Sequence, residues 1–444
     1  MIYQKIDAHV KDFYPFHMPG HKRRFFSTDI INHDITEMAG LDDLFSANGD
    51  IARLQNRIAR MYGARHARIL VNGSTAGILA SINSCCGEGD EIIMSRGSHI
   101  SAFNALALSG AKPVYIYPTL SALGYLEQPG QRVLDTILQH PNCKCVYITS
   151  PTYEGFCADV YSIANIAHKN GKLLIVDEAH GAHFGFDKIF PLNAIRLGAD
   201  IVIDGLHKTM PALGQTAVIH VGNDNVDTDR LDFFLRAIQT SSPSYIFLSA
   251  LDYAFSTILA DSTYFERYAA LLSQARGQIQ LLNKISLLET DDPSKLMLIP
   301  PVNYSGDELY KFLWDRGLAI EMSRPCYALA MTSVCDTREG FEWLTDALAK
   351  ADESFSLMRQ HELPSVSNMA DYEFSEQMMT PREAIASKSA YVDINDVVGR
   401  VSADHFVQYP PGIPLVVPGE RISENCARTM KGAGISRFRV VTDQ

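Results

Sequence analysis

The feature that most narrows the fold is a series of short apolar runs separated mostly by stretches of helical period. Arg68-Ile69-Leu70-Val71, Glu91-Ile92-Ile93-Met94, Pro113-Val114-Tyr115-Ile116-Tyr117, Cys145-Val146-Tyr147-Ile148-Thr149, Leu173-Leu174-Ile175-Val176, the run from Ala199 to Gly205, and Ala217-Val218-Ile219-His220-Val221 each have the length of a strand. Ahead of them Ile51, Leu54, Ile58 and Met61 share one helical face, and Gly63 follows as a stop. Continuous apolar runs mark strands covered on both faces, and helical spacers permit the crossovers that parallel strands need. The chain is therefore expected to be α/β, with about seven strands in a mainly parallel sheet.

The 444 residues suffice for two or three domains. We expect an N-terminal arm over 1–45, a large domain over 46–290 and a smaller C-terminal α/β domain over 291–444. In the last part, a helix from Glu308 to Arg316 stops at Gly317, strands are expected over 318–322 and 328–332, and a helix over 339–355. A long helical region is expected from about Leu248 to Leu282, and Thr380-Pro381 reads as a helix start with proline in the first turn. A net charge of −12 argues against nucleic acid or an anionic membrane as partner. No apolar run reaches membrane-spanning length and Met1 to His9 holds no signal core, so the expected location is the cytoplasm. The eight cysteines have no metal-ligand spacing and read as free thiols, and no metal site is expected.

Chemistry enters where the apolar runs end. Lys208 lies just past the Ala199–Gly205 run, where an unpaired ammonium would cost several kcal/mol, of the order of ~5. Asp177 ends another run, where a carboxylate wants a cationic partner. A lysine that forms a Schiff base to an aldehyde, with a carboxylate facing a protonated pyridine nitrogen, is what pyridoxal 5′-phosphate (PLP) requires. A structural Lys–Asp ion pair would look the same in these two segments. Asn72-Gly73-Ser74-Thr75-Ala76-Gly77, between a strand and a helix, is suited to cradling a phosphate, as it is to simple N-capping. His99 and Thr152 also follow strand ends, which is where open α/β sheets hold their ligands.

Taken in order, Pro19-Gly20-His21-Lys22, Thr36-Glu37, Gly40-Leu41-Asp42-Asp43-Leu44, Asn72-Gly73-Ser74-Thr75, Asp177-Glu178-Ala179-His180, His207-Lys208-Thr209, Ser242-Pro243-Ser244-Tyr245 and Tyr409-Pro410-Pro411-Gly412-Ile413-Pro414 resemble the ornithine/lysine/arginine decarboxylases of PLP fold type I. The likeness spans nearly the whole chain and is to short bacterial members without an N-terminal wing domain. It implies an aspartate-aminotransferase-like large domain, a homodimer with sites at the interface, and decarboxylation of a basic amino acid. By the same resemblance Lys208 would carry the Schiff base, Asp177 would face the pyridine nitrogen and His99 would stack on the ring. Ser74, Thr75 and Ala76 would hold the phosphate, His207 would lie beside the phosphate or substrate, and His180 would touch the ring. Two departures stand out. Gly205 occupies a position, three before the lysine, where the family usually has a hydroxyl residue, and Arg23-Arg24 follow the Pro19–Lys22 segment where a glycine is common.

For the distal cation of a basic substrate the candidate acids are Glu37, Asp42 and Asp43 from the arm, of the same chain or of its dimer partner, and Glu420, each of which could equally be an ordinary surface or capping acid. Arginine, with its planar fork, is slightly preferred over lysine. An aminotransferase or α-oxoamine synthase would share the layout, and the former could use Arg324, Arg382 or Arg400 to hold the α-carboxylate. A non-catalytic PLP-binding protein is the remaining alternative.

Overall fold

The apolar runs pair into one sheet. The computed structural model describes residues 12–17, 21–22, 35, 37, 41–355 and 374–442. Its first strands are β1 (Tyr14–Phe16), β2 (His66–Leu70), β3 (Glu91–Ser95), β4 (Lys112–Ile116), β5 (Cys145–Thr149), β6 (Leu173–Asp177), β7 (Ile201–Asp204) and β8 (Ala217–Val221). Seven of these form a sheet in the order β2-β8-β7-β6-β5-β3-β4. Only β8 runs against its neighbours β2 and β7; the other pairings are parallel. The mainly parallel seven-stranded sheet expected from the apolar runs is thus present.

Alternation along the strands divides the core in two. Ile92, Met94, Cys145, Tyr147 and Ile175 face helices Gly73–Cys85, Ile100–Ser109 and Thr228–Ile238. Ile93, Val146, Ile148, Leu174 and Val176 face helices Gln131–Gln139 and Val160–Lys169. With both faces covered, each large apolar side chain removed from water contributes about 1.5–3 kcal/mol. All eight cysteines are free thiols.

Two expectations need correction. The region from Leu248 to Leu282 is two helices, Tyr245–Ala260 and Tyr264–Gln280. Between them Asp261 Oδ1 accepts the Thr263 N–H at 3.0 Å, a local turn that competes with helix continuation. The N-terminal arm is not wholly irregular either. β1 pairs in parallel with β11 (Leu318–Ile320), and Tyr14 OH donates to Asp336 Oδ1 at 3.0 Å. No local pattern announces a three-residue strand whose partner lies some three hundred residues away.

Beyond helix Tyr264–Gln280, β9 (Ser286–Leu288), β10 (Lys295–Ile299), β12 (Met322–Arg324) and β13 (Tyr327–Met331) form an antiparallel sheet in the order β12-β13-β10-β9. Helix Arg338–Ser354 packs back towards helix Tyr264–Gln280 through one shared apolar core. Residues 374–442 have a separate core built around Phe406, Leu415, Val416, Met430 and Phe438. There β14 (Ser389–Asp393) pairs with β17 (Arg437–Val441), and β15 (Phe406–Val407) with β16 (Pro414–Val416). Helix Pro381–Ala386 begins with a Thr380/Glu383 capping box, as its proline start suggested.

One buried ion pair ties this last unit to the central sheet. Arg96, just past β3, donates from Nε to Glu420 Oε1 at 2.7 Å and from Nη2 to Oε2 at 2.9 Å. Both side chains are fully buried, and Nη1 also donates to Pro414 O at 2.8 Å. Removing one member strands the other charge in the interior, a loss that typically costs 3–5 kcal/mol, so roughly that order is expected here. Glu420→Ala should lower the urea midpoint accordingly at unchanged denaturant slope; a variant as stable as wild type would show that the pair is dispensable.

Candidate active site

Because five neighbouring strands run the same way, their C-terminal ends share one edge of the sheet, and the loops beyond them enclose a cavity of about 450 Å³. Ser74 and Thr75 follow β2, His99 follows β3, Asp177 and His180 come from the end of β6, and His207 and Lys208 from the short helix Leu206–Thr209 after β7. All seven line the cavity. Ala76 does not. It is buried outside the lining.

Lys208 Nζ lies 3.0 Å from His180 Nε2. Burial lowers the lysine pKa, partly opposed by the charges of Asp177 and Glu321. Burial likewise pushes His180 well below the ordinary histidine range, with Lys208 adding to the effect. A neutral His180 accepts a hydrogen bond at Nε2, and its Nδ1 is buried without a partner. Asp177 is fixed at both oxygens: Tyr147 OH donates to Oδ2 and the Ala179 N–H to Oδ1, each at 3.1 Å. Burial raises its pKa, and the nearby Lys208 pulls it back. Tyr147 escaped notice in the sequence because it sits inside an apolar run; the β5–β6 register, Thr149 opposite Asp177, is what brings it near.

Gly205 has a structural reason. A Cβ there would lie 2.6 Å from Ala179 O, 3.1 Å from Ser74 Oγ and 3.2 Å from Lys208 Cδ. The strand end, the Ser74 hydroxyl and the lysine stem thus occupy the space a side chain would need. Ser74 Oγ is itself buried without a partner, aimed into the cavity at the start of helix Gly73–Cys85.

His99 caps helix Ile100–Ser109, with Nδ1 2.8 Å from Ser101 Oγ. Gly412, at φ +83°, packs so closely that a Cβ would lie 2.8 Å from His99 Cδ2. His207 donates from Nδ1 to Thr216 O at 2.8 Å. Burial, with a smaller contribution from Lys208, lowers both imidazoles to about 4, and for His207 the Thr216 hydrogen bond partly opposes it.

The acids named from the sequence for a substrate cation are not in the cavity. Glu420 is spent on Arg96. Asp42 caps helix Asp50–Tyr62, accepting the N–H groups of Gly49 and Ile51, and Asp43 accepts the Phe45 N–H. Glu37 does not line the cavity either. Of the three arginines, Arg324 lines the cavity, whereas Arg382 binds Ala107 O and Arg400 binds Asp396 O. Pro19, Gly20, Arg23, Arg24, Thr36 and Gly40 lie outside the described residues. Glu154, Tyr327 and Gln215, to which the sequence assigns no role, and Tyr409, which it marks only as part of the Tyr409–Pro414 segment, also line the cavity.

The family model for the Orn/Lys/Arg decarboxylase major domain matches residues 4–312, and that for the Orn/Lys/Arg decarboxylase C-terminal domain matches residues 365–431. The chain belongs to the Orn/Lys/Arg decarboxylase family. An arginine decarboxylase of Bacillus subtilis is 29% identical over 92% of this chain and 88% of its own. The solved Escherichia coli constitutive lysine decarboxylase superposes with a TM-score of 0.80 at 18% identity, over 99% of this chain and 81% of that one. A structure of SPT with PLP aligns at a TM-score of 0.59 and 15% identity over 77% of this chain and 87% of that chain. The chain is a PLP-dependent amino-acid decarboxylase. Its own residues fit the cofactor: an unpartnered buried hydroxyl at a helix start, a lysine held towards its neutral form, and a carboxylate fixed at both oxygens beside it. Among the described residues no helix is long and apolar enough to cross a membrane.

Two outcomes follow from this geometry. Restoring a hydroxyl with Gly205→Ser should weaken PLP retention and lower stability by about 1–3 kcal/mol, because the side chain overpacks Ala179 O. PLP stoichiometry and thermal unfolding measure both, and a gain in PLP affinity would refute the steric account. The depressed imidazoles also give a pH signature. Between ~6.5 and about 4 the unfolded chain binds protons that folded His207 refuses, so this contribution is complete above 6.5 and lost as pH falls. His207→Asn keeps a donor for Thr216 O without the titration. Wild type should therefore lose more of its urea midpoint than the variant as acid is added, and equal losses would show that His207 is not held neutral.

Proposed function

We propose that the chain decarboxylates a basic amino acid at this cavity, releasing the amine and CO2, with arginine the preferred substrate. The observation that carries the reading is the pairing of Lys208, its amine held towards neutrality, with Asp177, fixed at both oxygens, at adjacent strand ends of one cavity. The arginine decarboxylase relative supports the choice of arginine, as does the match between a guanidinium and carboxyl acceptors.

When bound, PLP supplies an electron sink for the pair left at Cα as the carboxyl group departs. The chain's residues would do the rest. Lys208, being partly desolvated, offers a nucleophilic amine, and His180 Nε2 orients it by accepting one of its protons in a hydrogen bond. Asp177 would hold a proton on the pyridine nitrogen of a bound cofactor, and Tyr147 with the Ala179 N–H keeps that carboxylate from turning away. Ser74, Thr75 and the first N–H groups of helix Gly73–Cys85 form the phosphate cradle, with His207 at its edge. His99, locked by Ser101 and Gly412, presents its ring to the cofactor. Once CO2 has left, Lys208, oriented by His180, would return a proton to Cα. A homodimer is the assembly this reading expects.

The test is CO2 release from arginine, lysine and ornithine by the PLP-loaded protein, with keto acid measured in parallel. Lys208→Ala should lose the visible absorbance of lysine-bound cofactor and all turnover. Asp177→Asn should keep PLP but fall about a hundredfold or more in kcat. Near-normal turnover by Asp177→Asn, or keto acid in place of CO2, would sink the proposal.

A further inference from the structure

Glu420 is spent on Arg96, Asp42 and Asp43 serve as caps, and Glu37 is not in the lining, so within this chain a cationic head group would be met by another acid of the cavity. We propose that Glu154 is that acceptor, an assignment that rests on the decarboxylase reading above. Glu154 follows β5 and lines the same cavity as Lys208, yet is only 6% exposed. A chain of contacts leads to it from the amine. Lys208 Nζ is 3.0 Å from His180 Nε2, the His180 ring lies 4.7 Å from that of Tyr153, and Glu154 is the next residue. The acid therefore shares one cavity wall with the reacting lysine, two contacts removed from it.

The site is preorganised. Glu154 Oε1 accepts from Tyr327 OH at 2.9 Å, which fixes the carboxyl. Its loop is closed by Gly155 N–H donating to Thr152 O at 3.0 Å and clamped to the antiparallel sheet by Asp292 N–H donating to Gly155 O at 3.0 Å. A Cβ on Gly155, at φ +103°, would lie 2.8 Å from Lys295 Cγ, so the loop cannot shift outward cheaply.

An arriving cation would suit the surroundings of Glu154. Tyr153 OH, in the lining, donates to Glu321, and the charge of Arg324 acts on both Tyr153 and Glu154. Arg324 gives one donor to Pro410 O at 3.0 Å. Burial pushes the Glu154 carboxyl up, opposed by the Tyr327 hydrogen bond and Arg324, and a guanidinium or ammonium arriving in the cavity would favour the charged form. An amino acid with a neutral aliphatic side chain would bring this buried carboxyl neither charge nor donor, and sites with buried polar groups discriminate strongly against such analogues. Besides Asp177, already fixed by Tyr147 and the Ala179 N–H, the remaining acid in the lining is Glu127, which is exposed, where a carboxylate contributes little.

Glu154→Gln is the test, since its amide oxygen still accepts from Tyr327. Binding of agmatine and cadaverine to the PLP-loaded protein is measured by calorimetry, alongside KM and kcat for arginine and lysine and binding of norleucine. The variant should bind the amines about tenfold or more weakly and raise KM in proportion, with kcat changed less and norleucine binding unchanged. Glu154→Asp, which keeps the charge, should recover part of the loss. Unchanged amine affinity in Glu154→Gln, or an equal loss of norleucine binding, would overturn the assignment. Amine binding does not depend on turnover, so a wild type that releases no CO2 would refute the decarboxylase reading while the binding comparison still decides the role of Glu154.

Discussion

An amine taken out of water must be neutral or paired, and the centre of this protein is built around how Lys208 meets that demand. The lysine is not matched by a single buried counter-ion. It has a neutral histidine within 3.0 Å and the field of Asp177 close by. This is an arrangement for an amine that reacts, since a tight ion pair would hold the proton that must be lost. Only parallel neighbours allow it. β6 and β7 run side by side in the same direction, so the residues just past their ends emerge together, and the loop after β5 joins them on the same edge.

The C-terminal unit belongs to this centre although its core is separate. Arg96 lies three residues before His99, and its pair with Glu420 pins the strand end from which His99 projects. Gly412 O accepts the Ile100 N–H at 3.0 Å, and Gly412 itself presses on the His99 ring. The proline-stiffened segment after Tyr409 is therefore part of the cavity wall, contributing Tyr409, Pro411 and Ile413. Stability of the C-terminal unit and geometry at the cofactor site are coupled through a handful of contacts. The coupling is of the kind in which fixed side chains, rather than long-range fields, carry the effect.

What could be read in the sequence follows from what is local. Strand period, helix period and the polar residues at strand ends are properties of a few neighbouring residues, so the sheet and the row Ser74, His99, Asp177 and Lys208 were legible. The antiparallel sense of β8 was not, because a buried strand reads the same in either direction. The pairing of β1 with β11 and the burial of Glu420 depend on partners roughly three hundred residues distant. Gly205 looked like a missing ligand because a motif records residue types and not the carbonyl of Ala179 pressed against the backbone. Tyr147 and Glu154 were hidden for the same reason: each has an ordinary local context and acquires its meaning from a residue on another strand.

The acids illustrate how exposure and burial divide electrostatic labour. A net charge of −12 spread over the surface can draw a cationic amino acid towards the protein, but screened surface charges distinguish poorly between one cation and another. Discrimination requires a carboxyl that water cannot easily satisfy. Glu154 meets that condition, whereas Asp42, which carries a full set of backbone donors, has nothing left to gain from a ligand. Net charge is thus compatible with a cationic substrate without selecting one, and selectivity among substrates falls to the few charges that folding has removed from solvent.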